Sequence, residues 1–106
     1  MIKEVNYDNI QQCIDDNKYV ILKFFATWCG PCQRLNSVVH DVSNNYKDVT
    51  FLEIDIDKYE SLARVWNIKS VPTLIFIKQG KTVNTICGYQ SKDELEGYIK
   101  KIFIDN

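Results

Sequence analysis

The chain lacks an apolar run of signal-peptide or membrane-spanning type, a block of charge of one sign, any internal repeat and any low-complexity stretch or linker. Each absence removes a class of function. Near the N-terminus, Ile2, Val5 and Tyr7 are interrupted by Lys3, Glu4 and Asn6, so no apolar stretch of signal-peptide type forms. No later segment reaches the roughly 20 apolar residues that a membrane-spanning helix needs. The expected setting is therefore cytoplasmic and reducing, with no membrane partner. Lys and Arg number 13 against 14 Asp and Glu, mixed along the chain for a net charge of −1. Without a basic stripe, nucleic-acid binding has no electrostatic support. A G-x-G-x-x-G dinucleotide fingerprint is also missing.

What is present is an ordinary globule. At 106 residues, 45% hydrophobic and 25% charged, the chain is expected to form one domain over 1–106 with a single core. Residues 7–16 read as a helix with Ile10, Cys13 and Ile14 on one face. Tyr19 to Ala26 is almost unbroken in its apolarity except for Lys23, the pattern of a strand covered on both faces. Leu35, Val38, Val39, Val42 and Tyr46 set a helix over 32–46, and 51–56 a further strand. A helix around Tyr59 to Trp66 closes at Asn67, a residue that tolerates left-handed geometry. Strands at 73–78 and 82–88 flank a turn at Gln79-Gly80. Ser91 and Glu94 form a capping box that opens a last helix, with Leu95, Tyr98, Ile99 and Ile102 inward. Strands alternating with helices predict an α/β sandwich with helices on both faces of the sheet.

Of the four cysteines, Cys13 and Cys87 stand alone, whereas Cys29 and Cys32 form a C-x-x-C. Two structural disulfides would suit a secreted chain, but this pattern in a cytosolic α/β chain points to redox chemistry. The pair falls where a buried strand ends and an amphipathic helix begins. Unpaired N–H groups and the positive end of the helix dipole stabilise a thiolate there, below the free value of about 8.5. Only the thiolate attacks disulfides. Cys29, nearest the loop, is the expected nucleophile, and Cys32, one turn in, the resolving thiol. Pro31 suits a first helical turn, and Gly30 allows close approach of a partner backbone. Half of a zinc site is the rival reading, yet Cys13, His40 and Cys87 show no ligand spacing to complete it. No metal is expected.

Ala26-Thr27-Trp28-Cys29-Gly30-Pro31-Cys32 resembles the active-site signature of the thioredoxin family. Val71-Pro72-Thr73 is similar to the family's second hallmark and Gly88 to its third, in the same order along essentially the whole chain. The resemblance implies a thioredoxin fold, a central mixed sheet of four or five strands flanked by four helices. It further implies a cis Val71–Pro72 peptide facing the cysteines, with the Val71 N–H and C=O free to pair with an extended substrate segment. Carried over by position, Trp28, Gly30, Pro31, Val71, Pro72, Cys87 and Gly88 would form a shallow apolar docking patch around an exposed sulfur. The implied activity is reduction of protein disulfides by a reversible Cys29–Cys32 couple. The implied partners are disulfide-bearing proteins and an NADPH-linked reductase that carries the nicotinamide and flavin, leaving this chain, a monomer, without a cofactor.

Four positions depart from the family pattern. Lys23 stands where a buried aspartate is usual, and Glu53 where lysine is frequent on the neighbouring strand. A buried lysine needs a partner or a lowered pKa. Lys23 and Glu53 are therefore expected to pair below Cys32, one of them relaying its proton, with Lys23 lowering the thiol pKa values by proximity; snorkelling of Lys23 to solvent is the plain alternative. Gln33 replaces a common cation, for which Arg34 substitutes. Cys87 is expected to pack as a small hydrophobe, its sharper alternative being a modifiable thiol that blocks docking when oxidised. Cys13 reads as core, and His40 as solvent-facing. Two other functions compete with disulfide reduction. An oxidant or isomerase of the same fold usually carries histidine between the cysteines, which this chain lacks. A non-catalytic binding subunit has no need of two oxidation-prone thiols.

Overall fold

The computed structural model describes residues 2–105; Met1 and Asn106, the ends of the expected domain, lie outside the described residues. Five strands, β1 (Ile2–Glu4), β2 (Tyr19–Phe25), β3 (Val49–Asp55), β4 (Thr73–Lys78) and β5 (Lys81–Cys87), form one sheet in the order β1-β3-β2-β4-β5. β1 and β2 run parallel to β3, whereas β4 is antiparallel to both β2 and β5. The sheet is thus mixed, with β2 near its centre.

Alternation along β2 explains the two-sided core. Val20, Leu22 and Phe24 point to one face, where they meet Ile10 and Ile14 of α1 (Ile10–Asp15) and Leu62 of α3 (Glu60–Val65). Ile21 points to the other, against Leu35, Val39 and Val42 of α2 (Gly30–Asn45) and Leu95 and Ile99 of α4 (Lys92–Ile99). All four of these β2 residues are fully buried. The unbroken apolar run predicted a strand covered on both faces, and this is what covers it.

Several ends follow from local chemistry. Asn67 takes φ 56° after α3, the left-handed geometry expected of it. Gln79 and Gly80 take φ 51° and 81°, so both central residues of the β4–β5 turn are left-handed, as a type I′ turn requires. Ser91 and Glu94 close the expected capping box at the start of α4. The first helix is shorter than the predicted 7–16. The Asn6 side chain accepts from the N–H groups of Asp8 and Asn9 while Asn9 caps the Asn6 N–H, a turn that displaces the first helical residue to Ile10. The C-terminal helix ends in one wide turn, η1 (Lys100–Ile104), which carries Ile102 and Phe103 into the core.

Candidate redox site at the start of helix α2

Helix α2 begins directly after β2 and a short loop, and Cys29 is its N-cap residue. The Cys32 N–H points at the Cys29 sulfur from 3.1 Å. Gly30 and Pro31 occupy the first two helical positions, where a missing N–H leaves no intrahelical bond unmade. Cys29 and Cys32 are joined as a disulfide with their Cα atoms 5.2 Å apart. In this oxidised form both are covered, at 4% and 2% exposure. The expected exposed sulfur is therefore corrected: Ala26, Phe25, Ile56 and Val71 pack around the pair and close over it.

The Val71–Pro72 peptide is cis, and the Cys29 sulfur lies 3.7 Å from the Val71 carbonyl oxygen. Among the described residues the Val71 N–H has no hydrogen-bond partner, so a donor stands free beside the disulfide. The Gly88 N–H donates to the Pro72 carbonyl at 2.8 Å, which ties the end of β5 to the cis-proline loop. Gly88 does this at φ 90°, a conformation open to glycine. Cys87 pairs in register with Thr73 and is exposed, so the expectation that it packs as a small hydrophobe does not hold. It sits on an edge strand, with the Thr73 hydroxyl 3.8 Å from its sulfur.

Trp28 is 69% exposed and stands at the rim. Its Nε1–H donates to Asp57 at 2.9 Å. Together with Ile56, Ala63, Ile68 and Val71 it lines a cavity of about 160 Å³ beside the disulfide. On the side of Gly30, the Arg34 guanidinium lies 3.8 Å from where a Gly30 Cβ would stand and 5.9 Å from the Tyr89 ring centre. Arg34 thus supplies the cation that Gln33 does not. His40 is exposed on α2, and Cys13 packs partly buried against the α1–α3 face.

Lys23 is the largest departure from an ordinary core. It is 1% exposed, and its ammonium lies 3.3 Å from Glu53 Oε2, itself on a side chain 26% exposed. The two are direct neighbours in the β2–β3 register, which explains why they meet. The ammonium also donates to the Asn36 side chain and lies 5.4 Å from the Phe25 ring centre. Snorkelling is excluded. Asp57 and Asn36 carry no apolar period and no motif, so nothing in the sequence marks them; both are found through the partner they hold.

A sequence model of the thioredoxin family matches residues 1–101. The chain is 38% identical to thioredoxin H-type 2 of Nicotiana tabacum, covering 89% of this chain and 79% of that one. It is 35% identical to a thioredoxin of Mycoplasmoides gallisepticum, over 90% and 95% of the two chains. A solved thioredoxin from Halobacterium salinarum superposes with a TM-score of 0.89 at 31% identity, covering 95% of this chain and 89% of that one. A dithiol pair capping a helix opposite a cis-proline, within this mixed sheet, agrees with those likenesses: the chain belongs to the thioredoxin family and is a thiol–disulfide oxidoreductase.

Proposed function

We propose that this chain reduces protein disulfides with Cys29 as nucleophile and Cys32 as resolving thiol. The observation that carries the assignment of roles is the position of Cys29 at the helix N-cap. The Cys32 N–H is directed at its sulfur, which lies 3.7 Å from the Val71 carbonyl oxygen of the cis-proline loop. A thiolate at that point accepts a backbone hydrogen bond and faces the helix dipole, which lowers its pKa. Cys32, buried in the first turn, reaches the Cys29 sulfur itself, to which it is bonded in the oxidised form.

The reaction then runs in two exchanges. Cys29 thiolate attacks one sulfur of the target disulfide, and the other leaves as a thiolate. Cys32 next attacks the Cys29 sulfur, forms the Cys29–Cys32 disulfide and releases the second target sulfur. Trp28, Gly30, Pro31, Val71, Pro72, Cys87 and Gly88 form the docking surface. The free Val71 N–H and the adjacent carbonyl offer an extended target segment a two-point backbone pairing. The 160 Å³ cavity beside Trp28 takes an apolar side chain of that segment. An NADPH-linked thioredoxin reductase returns the disulfide to the dithiol, and the chain acts as a cytoplasmic monomer. Two further cysteines kept as free thiols fit a reducing compartment. Lys23 and Glu53 lie beside the same site and are treated below.

Insulin-disulfide reduction driven by NADPH and a thioredoxin reductase tests this reading. Wild type turns over, Cys29→Ser does not, and Cys32→Ser accumulates a mixed disulfide with the target. Function retained by Cys29→Ser would identify a binding subunit instead.

A further inference from the structure

Lysine with 1% exposure is costly unless its charge is held, and here it is held by two partners on different elements. Asn36 is one of them. It lies one helical turn after Cys32 on α2, and side chains four residues apart share a helix face. An ammonium bonded to Asn36 therefore lies under the turn that presents the resolving thiol. The Phe25 ring, 5.4 Å from that ammonium, also packs against the cysteine pair. The cation and the disulfide thus share one wall.

The other charges around it are disposed so that the positive field survives. Glu53 on β3 is 26% exposed, so water screens its carboxylate while the ammonium is closed off. Glu4 on β1, beside Glu53 in register, is engaged by Lys58 at 3.5 Å. The buried Asp55 carboxylate turns to the loop and accepts from the N–H groups of Asp57 and Lys58. On β4 the register neighbour of Lys23 is Leu74, which is uncharged. On α2, Arg34 adds a second cation beside Gly30.

We infer that Lys23, positioned by Asn36 and Glu53, acts as a fixed buried cation that stabilises the Cys32 thiolate during resolution of the mixed disulfide. This rests on the roles proposed for Cys29 and Cys32. Lys23 keeps its proton throughout. Cys32 gives up its proton as its sulfur bonds to the Cys29 sulfur; the bond between Cys29 and the target sulfur breaks with its electron pair on the target. The departing target thiolate takes up one proton, so the proton lost by Cys32 is balanced by the one gained on the target thiol. The target is reduced by the two electrons that the dithiol loses. A carboxylate beneath the pair would have to accept that proton and would oppose the thiolate; an ammonium needs only to stay charged. Glu53 and Asn36 are positioning residues, and Glu53 also moderates the field.

Titration of the Cys32 thiol in Cys29→Ser protein, by pH-dependent alkylation, reads this field directly and needs no target. Lys23→Met, which replaces a buried ion by an apolar chain of similar length, is expected to raise the Cys32 pKa by about one unit. Resolution of a preformed mixed disulfide at neutral pH then slows about tenfold. Glu53→Gln removes the opposing charge, keeps the chain shape, and is expected to lower the same pKa. Asn36→Ala is expected to raise it by less than Lys23→Met. Opposite shifts in Lys23→Met and Glu53→Gln support the fixed cation. An unchanged pKa in Lys23→Met, shifts of one sign in both, or slower resolution in Glu53→Gln each overturn it, the last in favour of Glu53 as the base. If Lys23→Met fails to fold, Glu53→Gln and Asn36→Ala still decide by sign. Failure of wild type in the insulin assay would strike the proposed activity, whereas an unchanged titration with normal wild-type turnover strikes this inference alone.

Discussion

A single hydrogen bond decides how Trp28 stands. The indole is mostly in solvent, and its Nε1–H is directed by Asp57 across the mouth of the cavity that Val71 and Ile56 line. In Asp57→Ala the ring is free to rotate away, at a cost of about 1 kcal/mol in docking. Steady-state insulin reduction is expected to show KM rising about fivefold with kcat near wild type. Gly88 is set by its backbone alone. A methyl there meets nothing within 4 Å, yet φ 90° is unfavourable for any residue with a Cβ. Gly88→Ala is therefore expected to lose about 1–2 kcal/mol, measured by urea unfolding, through the backbone and without a clash. The cysteines were legible from motif and spacing, and the cis-proline from the family resemblance. Asn36 and Asp57 were not, because a polar residue on an outer helix face or in a loop shows its purpose only when its partner is placed.

At the level of elements, the capping box of α4 links stability to pH. Glu94 sits below its ordinary value of 4.5 because the Ser91 N–H, and then the Ser91 side chain, hydrogen-bond at this box. A carboxyl whose folded pKa is depressed contributes above its unfolded value, and the contribution disappears as pH falls through the folded one. Glu94→Gln is therefore expected to reduce stability at pH 7 and to flatten its decline below about pH 4.5, as followed by chemical unfolding at stepped pH. Ser91→Ala removes the cap acceptor and is expected to cost about 1 kcal/mol at neutral pH. Ser91, Glu94, Asn67 and Gln79-Gly80 could be read in sequence because each end is fixed by chemistry within a few residues. The late start of α1 could not. Asn6 and Asn9 satisfy each other's backbone in a turn that competes with the helix, and apolar spacing is blind to that competition.

Across the whole molecule, the redox site and the aromatic core occupy opposite ends of β2. Phe103, brought in by the wide C-terminal turn, packs 4.9 Å from Tyr19 and 5.5 Å from Phe76, ring centre to ring centre. Tyr19 begins β2, whereas Cys29 follows its end. Phe103→Ala is expected to cost about 3–5 kcal/mol in stability. A thermal melt checks the loss, and the rate of insulin reduction per folded molecule stays near wild type. The α/β layering was readable because β2 is apolar on both faces; the order of strands in the sheet waited for the structure. That order leaves β5 on the outside, exposed along nearly its full length. An open strand edge is a template on which further chains can stack. Here the edge is spoiled from within. Val83 bulges out where the register slips between Phe76 and Ile77, Lys81 stands at one end, and the Thr85 N–H is already taken by the Asn84 side chain. A strand so broken offers a neighbour no straight run of donors, and this edge of the sheet is kept from seeding aggregation.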